Sequence, residues 1–514
     1  CFSDFMVQGE RRFATHQGYL QYLNAYADKY GLRQHIRFSS TVTRLRKVGN
    51  EQWQITVASS GSVTEQVFEA VAVCSGPFRT PELNIPGRER FSGSIVHSSR
   101  YRDNRPFSGK RVIVVGLAES GADVLREISE VASACTLSLR SRSFLVPRLF
   151  NGKYSTDMFT LRAHHYEMWV RATRIPFHLK AIFGEDSFSR AVFLGAARLY
   201  GAATVAANVV SGLLGSPGRR RAPGELNNLG QPLYPLKVDL FTEDTKENLD
   251  LINEWNRQSH HYEGNYSQRV IFCKNVSFIP NIRNGKIQVK DAEIVDIQGS
   301  RVHFNDGTSQ EADVLVLCTG FKNDFTLLGD IKIKDDNVRN LYKHSIHPEH
   351  GGRLALMGFV RPFSGGIPLC AEMQARYFAL LCSNKLRLPA DLHQQIEKDK
   401  AWEEAWTALS PRHFEAVPSQ IFFLDALAKE IGCLPELTEL LRRPRLLTRL
   451  WFYAFNQSCY RLTGPHTLHD SALRELLQEE LPGRHNPVIL LFSLLSLLPH
   501  FVHPKDQTIP PFRN

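Results

Sequence analysis

Apolar residues recur at helical spacing between positions 13 and 31. Tyr19, Leu20, Leu23, Tyr26, Ala27 and Tyr30 would share a face, and the pattern predicts a helix. The period then shortens. Runs at 36–46, 52–58 and 66–74 are β-rich, partly alternating and separated by polar turns, as strands are. Residues 111–115 form a short apolar strand that enters a glycine turn and then a helix, and 136–140 is the next strand. Together they make a βαβ unit of mononucleotide-binding length. Strands return at 287–289, 294–297 and 302–304, and after an Asp306-Gly307 turn at 314–318. Between 155 and 270 the pattern is irregular apart from an Ala/Gly-rich helical stretch, 191–214, whose one charge is Arg198. From 380 to 480 the chain is helical and charged. The run 488–498 is apolar throughout and is stopped by Pro499. It is shorter than the roughly 20 residues a membrane-spanning helix needs, so it is expected to lie at an interface as a short anchor.

Composition narrows the class. A chain of 514 residues suggests two or three domains, and 43% hydrophobic with 22% charged residues is the balance of a globular protein. The net charge of +10 suits a phosphorylated cofactor, a membrane surface or nucleic acid. No zinc-finger, RRM or homeodomain pattern is present, so no nucleic-acid partner is expected. The basic triplet Arg219, Arg220 and Arg221 reads as a solvated loop. Nine cysteines without a C-x-x-C pair point to reduced thiols and away from a dithiol flavoprotein reductase. His165 with Met168, and His260 with His261, lack metal-site spacing, and no metal is expected.

The chemistry gathers at Gly116-Leu117-Ala118-Glu119-Ser120-Gly121, between the strand at 111–115 and a helix at 122–129. Gly116 permits the tight turn and Gly121 permits close helix–strand packing. The helix N-terminus then offers N–H groups and a positive dipole end to a pyrophosphate. Ala118 replaces the middle glycine of G-x-G-x-x-G, adding a methyl group where backbone meets phosphate. The next strand ends in Leu139-Arg140-Ser141-Arg142, not in the acidic residue that binds the ribose hydroxyls of NAD. Arginines there suit a 2′-phosphate and favour NADPH.

Just ahead of this loop, Phe91, Gly93, His97 and Tyr101 fit F-x-G-x-x-x-H-x-x-x-(Y/F). The chain thereby resembles the flavin-containing monooxygenases; the related Baeyer–Villiger enzymes carry Trp at the position of Tyr101. Gly93 allows a bend, and His97 is expected to bond two segments across a domain junction, not to act as a base. The resemblance extends to Cys1–Phe5, to 73–76 with 85–87, to 316–321, to Gly358-Phe359 with 365–368 and 372–376, and to the late motif 460–465. It spans residues 1 to about 380 and touches 440–470; the segment 155–270 matches poorly. Asn is frequent in the family where Glu119 stands here.

The resemblance implies an α/β flavoprotein with two dinucleotide-binding domains, an FAD domain carrying an inserted NADPH domain, plus a helical C-terminal extension. The divisions expected are 1–108 (FAD domain), 109–270 (NADPH domain with its variable insert), 271–380 (FAD domain, second part), 381–480 (helical extension) and 481–514 (hydrophobic tail). The family's opening strand and glycine turn have no counterpart after Cys1, so the first FAD-binding unit is expected to be missing, and the family's active-site Asn with it. The implied cofactors are FAD and NADPH. Ser120 with Gly121 would meet the pyrophosphate, Arg140 and Arg142 the 2′-phosphate. Gly366, Ile367 and Gln374 would lie near the flavin, with Val42, Gly76 and Gly320 among further cofactor contacts. The implied reaction is oxygenation by O2 of a soft nitrogen or sulfur centre in a small molecule, through a C4a-hydroperoxyflavin and with no protein nucleophile. Baeyer–Villiger oxygenation of ketones, and a non-catalytic, membrane-associated NADP-binding remnant, stay open as alternatives. Animal members carry a C-terminal anchor, which implies a peripheral membrane contact at the cytosolic face of the endoplasmic reticulum; a cytoplasmic location is the alternative. Substrate and oligomeric state are not legible.

Overall fold

The computed structural model describes residues 1–7, 16–49, 52–150, 246–259, 272–362, 365–407, 419–452 and 455–478, with the short pieces 154–155, 162 and 416–417. The Ala/Gly-rich stretch at 191–214, the arginine triplet, the His165 and His260 groupings and the apolar run 488–498 lie outside them. Among the described residues no helix is long and apolar enough to cross a membrane.

A five-stranded parallel sheet carries the glycine turn. Its strands are β1 (Ser94–His97), β2 (Arg111–Val115), β3 (Ala134–Ser138), β4 (Gln288–Lys290) and β5 (Val314–Leu317), in the order β4-β3-β2-β5-β1. Alternation decides which face each side chain covers. Val112, Val114 and Val316 pack with Ala122, Leu125 and Ile128 of α1 (Glu119–Ser129). Ile113, Leu315 and Leu317 point the other way, onto Ile297, Val302 and Phe304. Those three belong to an antiparallel sheet formed by Ile294–Gln298, Arg301–Phe304 and Ser309–Glu311. Both faces are therefore covered, which explains why β2 reads as an unbroken apolar run.

A second body is built around Leu354–Leu356, which pairs in parallel with Val71–Val73. Beside it an antiparallel meander of Ser40–Val48, Gln52–Ser59 and Ser62–Phe68 contributes Leu45 and Trp53 to a core shared with Leu328, Val338 and Phe359. The third and largest cluster joins α2 (Ile367–Cys382), α3 (Leu392–Thr407) and α4 (Gln420–Ile431) to the shorter helices up to Gln478.

Two expectations shift on inspection. The first helix forms at His16–Lys29, but its buried residue is Tyr22, while Tyr19, Leu20 and Leu23 face outward. Its packing partners are the rings of Phe2 and Phe5, which reach Tyr22 and Tyr26 and so select the neighbouring face. The strand expected from 36 begins at Ser40, because the chain leaves that helix through Gly31 (φ 60°) into a 3-10 turn at Leu32–His35.

Candidate functional site

The turn after β2 is shaped by what a side chain would strike. Gly116 has φ 89°, and a Cβ there would come within 2.9 Å of the Cys318 carbonyl oxygen. A Cβ on Gly121 would lie 2.7 Å from the carbonyl oxygen of Gly116. The turn is anchored by Gly116 N–H donating to Ser138 O (3.0 Å) and by the Ser143 hydroxyl donating to Leu117 O (2.6 Å). Ala118 is the extended residue that opens α1 (φ −147°), so the methyl group in place of the middle glycine needs no left-handed backbone. Ser120 is exposed in the first turn of the helix. The Glu119 carboxylate accepts the Lys274 N–H (2.7 Å) and approaches Arg148 (3.6 Å), so its charge is compensated from outside the turn.

The two arginines after β3 fall into different surroundings. Arg142 is bonded to Asp291 (2.6 and 2.9 Å), stacks over the Trp255 ring at 4.4 Å, and keeps 15% of its side-chain exposure. Arg140 keeps 64%, with Glu293 at 3.6 Å, a spacing that leaves its guanidinium free to turn. Of the pair, Arg140 is the one placed to meet a ligand from solvent.

The residues of the F-x-G-x-x-x-H-x-x-x-Y run each brace a different element. Phe91 bridges to Gly299, and Ser92 N–H donates to Gly299 O (2.9 Å). Gly93 lies so close to Asp313 that a Cβ would meet its carbonyl oxygen at 2.4 Å. His97, 4% exposed, makes a 2.9 Å Nε2 contact to Gly320 O and a 3.0 Å Nδ1 contact to the Ser99 hydroxyl. Tyr101 donates to Glu127 of α1 (2.7 Å). Gly320 (φ 89°) follows β5 as Gly116 follows β2, and β2 and β5 are adjacent. Two glycine turns therefore lie side by side at the carboxyl edge of a parallel sheet, the place where open α/β sheets bind ligands.

The candidate flavin-side residues divide similarly. Gly365 (φ 112°) and Gly366 are exposed just before α2, a helix long enough to present a full set of first-turn N–H groups. Ile367 opens that helix and is half-buried. Gln374 is 1% exposed and spends its amide internally, accepting from Gly358 N–H (3.0 Å) and donating to Lys343 O (2.9 Å). It is a brace behind the helix start. Val42 lies at a bulge of the meander and is exposed, and Gly76 (φ 69°) follows Val71–Val73 with open space around it.

Among the described residues His347, Glu349 and His350 offer ligand atoms within 4.8 Å of one another. Both ring nitrogens of His347 already have partners, Glu349 N–H (3.2 Å) and Lys332 O (3.3 Å).

A sequence profile described as FMO-like, flavin-binding monooxygenase-like, matches residues 1–180 and 250–480. The chain belongs to this family. A 4-hydroxybenzoate brominase (decarboxylating) from Pseudoalteromonas luteoviolacea is 30% identical to this flavin-binding monooxygenase-like protein over 508 residues, 98% of this chain and 84% of that one. Human flavin-containing monooxygenase 2 is 27% identical over 480 residues, 90% and 77% of the two chains. A crystal structure of OTEMO with FAD and NADP superposes with a TM-score of 0.51 at 14% identity, covering 82% of this chain and 84% of that chain. The fold is the two-dinucleotide-binding-domain flavoprotein fold, and FAD and NADP(H) are the cofactors of the family. The residues present fit both groups. Gly116 and Gly121 leave a cradle that a Cβ would fill, beneath the N-terminus of α1. Gly365 packs against the Gln420 amide, which donates to Gly366 O (2.8 Å), and the exposed Gly366 stands at the N-terminus of α2, whose dipole would favour a ring that becomes anionic on reduction.

Sequence reasoning missed the partners that lie far along the chain. Lys274 and Arg148 around Glu119 have no local motif. Nor has the buried group of Ser3, Glu372 and Arg461, in which Arg461 donates to Glu372 (2.9 Å) and to the Ser3 hydroxyl (2.6 Å). That group gives the late motif at 460–465 a role, since the neighbouring Tyr460 hydroxyl is bonded to Asp425 (2.6 Å). Gly464 (φ 76°) is pressed against Gly432.

Proposed function

We propose that the protein is an NADPH- and O2-dependent monooxygenase that transfers one oxygen atom to a soft nucleophilic nitrogen or sulfur centre of a small molecule. The observation that carries this reading is the pair of adjacent glycine turns at Gly116 and Gly320, with the exposed Arg140, 3.6 Å from Glu293, just past the adjoining strand β3. FAD, when bound, would supply the redox chemistry: hydride acceptance from NADPH and activation of O2. The other oxygen atom leaves as water, so one NADPH, one proton and one O2 are consumed per oxygenated product.

The chain's own residues bind and orient. Ser120 and Gly121, with the first N–H groups of α1, would hold the pyrophosphate, and Arg140 the 2′-phosphate. Gly366 and Ile367 would place the α2 N-terminus at the flavin ring, with Gln374 fixing Gly358 and Lys343 behind it. His97 would keep the two turns in register through Gly320. No side chain need act as a nucleophile.

A second reading is favoured by the 30% identity, over nearly the whole chain, to a 4-hydroxybenzoate brominase. Bromide is also a soft nucleophile, and the same oxygen transfer to it would yield an electrophilic brominating species. NADPH consumption in air, with products assayed against thioanisole, cyclohexanone, and bromide plus 4-hydroxybenzoate, tests both readings. A sulfoxide supports the first, a bromophenol the second, and a lactone would assign the enzyme to ketone oxygenation. Protein that lacks flavin and leaves NADPH unconsumed would overturn them all. A membrane contact at 488–498, on the cytosolic face of the endoplasmic reticulum, belongs to the same proposal. Its test is detergent dependence of solubility that disappears when residues after 480 are deleted.

A further inference from the structure

The helix that follows the nucleotide turn opens on a carboxylate. Glu119 is the first residue of α1 and Asp123 stands one turn on, so the two side chains share a face of the helix. Negative charge at a helix N-terminus is favourable in itself, because it meets the positive dipole end. Here it is also a competitor. The N–H groups and dipole end that attract Glu119 are the ones a pyrophosphate needs, and two anions cannot share them.

Both carboxylates are drawn instead to chain outside the helix. Glu119 accepts the Lys274 N–H (2.7 Å), and among the described residues no bond joins it to Ser120 or Gly121. Asp123 accepts from the Asn275 side-chain amide (2.7 Å). Arg148 reaches both, bonded to Asp123 (3.0 Å) and 3.6 Å from Glu119. The carboxylates of Glu119 and Asp123 keep 46% and 51% of their exposure and Arg148 only 16%, so the arginine is the fixed member. The segment ahead of it sets its place. Leu145 exchanges two bonds with the buried Asn256 side chain (2.7 and 3.0 Å), and Val146 N–H donates to Cys273 O (2.9 Å). Phe144–Leu145 pairs in parallel with Phe272–Cys273, and the same pairing brings Lys274 and Asn275 up to α1.

We propose that Arg148 is a positioning residue for nucleotide binding: it retains Glu119 against the 272–275 segment and so leaves the N-terminus of α1 open to the NADP(H) pyrophosphate. The inference rests on the reading that this turn receives the pyrophosphate. Without the guanidinium, Glu119 keeps one main-chain bond, and its charge turns toward the dipole end that the pyrophosphate would occupy.

The test is calorimetric titration of the FAD-loaded full chain with NADP+ and with adenosine 2′-monophosphate, which carries the 2′-phosphate and no pyrophosphate. Arg148→Met weakens NADP+ about tenfold, as one like charge beside a half-exposed anion site does, and leaves adenosine 2′-monophosphate unchanged. Adding Glu119→Gln restores NADP+ to within about twofold, because the amide still accepts the Lys274 N–H and carries no charge. Adding Asp123→Asn instead restores nothing. Flavin absorbance and the adenosine 2′-monophosphate affinity report folding; should Arg148→Met fail there, Arg148→Gln removes the charge with a polar side chain and gives the same loss and the same rescue. NADP+ affinity indifferent to the arginine substitution overturns the inference. So does a double variant with Glu119→Gln that stays weak, since Arg148 would then serve the phosphate directly, and so does equal rescue by Asp123→Asn, which would make the effect one of net charge. Wild-type protein that binds both probes equally makes no use of the pyrophosphate and overturns the underlying reading; wild-type protein that prefers NADP+ whatever stands at 148 overturns this inference alone.

Discussion

His97 and Gly320 lie 223 positions apart, and the imidazole Nε2 meets the Gly320 carbonyl oxygen at 2.9 Å. The ring also stands edge-on to Phe321, with 5.0 Å between centroids. One side chain from the end of β1 thereby fixes the turn after β5, which abuts Gly116 through Cys318. His97→Ala is expected to cost about 1–3 kcal/mol, the loss of a buried polar contact. It should also weaken NADPH binding, because the Gly116 turn loses its backing. Thermal unfolding and NADPH titration of the variant check both effects; an unchanged NADPH affinity would show that Gly320 is held without the histidine.

The same burial gives stability a pH dependence. His97, His347 and His350 are all held below ordinary imidazole basicity, chiefly because burial penalises the charged ring. Below about pH 6.5 the unfolded chain takes up protons that the folded rings refuse, so stability falls as pH drops through this window and is full above it. Asp103, Asp306 and Asp313 are lowered to about 2, mainly by hydrogen bonds to Arg105, Lys290 and Arg111 respectively. Their loss belongs below about pH 4, where an ordinary carboxylate protonates. Urea midpoints should therefore be level from pH 8 to 7 and decline from 6.5 to 5, and His97→Gln should flatten part of that decline. A midpoint that rises on acidification between 6.5 and 5 would contradict the sign.

Local pattern was enough to read the βαβ unit around β2, because period and glycine placement are properties of neighbouring residues. Gly116 and Gly121 fall at a strand end and in a helix start, as their spacing implied, whereas the strand expected at 136–140 forms at Ala134–Ser138 and leaves Arg140 two residues past its end. The side on which a helix buries its stripe was not legible: Tyr22 is covered by Phe2 and Phe5, 20 and 17 positions earlier, and no period in 16–29 encodes that. The internal use of Gln374 and Arg142 was equally hidden, since both depend on partners, Lys343 and Asp291, brought up by other elements. Charge and position alone cannot separate an arginine that stays exposed from one that braces a tryptophan.

Arg140 and Arg142 should separate by experiment. Arg140→Ala is expected to lower the preference for NADPH over NADH by roughly tenfold to a hundredfold, as loss of a charge-assisted contact to a phosphate would. Arg142→Ala releases Asp291 and Trp255, so it should weaken both nucleotides alike. Steady-state kcat/KM with each nucleotide gives the ratio. An Arg140→Ala enzyme that keeps its preference assigns the 2′-phosphate elsewhere.

Gly116→Ala probes the turn directly. A methyl group at φ 89° is strained, and it would approach the Cys318 carbonyl oxygen to 2.9 Å, which is backbone and cannot swing aside. The expected result is a tenfold or larger loss of NADPH affinity with flavin content unchanged, because the disturbance lies between β2 and β5 and not at α2. Flavin absorbance per protein and NADPH titration read the two separately. A variant that binds NADPH normally would show that the turn has room to shift.

Arg461 joins three distant pieces of chain. It donates to Glu372 on α2, to the Ser3 hydroxyl near the chain start and to His466 O (3.0 Å), and Glu372 in turn accepts the Ser3 N–H (2.7 Å). Arg461, Glu372 and Ser3 are all largely buried. Removing one member of a buried ion pair strands the other, at a cost of about 3–5 kcal/mol. Arg461→Met should therefore destabilise far more than Ser3→Ala, which loses a hydroxyl of about 1 kcal/mol. The double variant Arg461→Met/Glu372→Met should recover part of the loss, because the Glu372 charge is gone and only Asp4, 3.5 Å from Arg461, then loses its cation. Denaturant unfolding of the three proteins measures this directly, and a double variant less stable than Arg461→Met would show that the carboxylate has another cation to rely on.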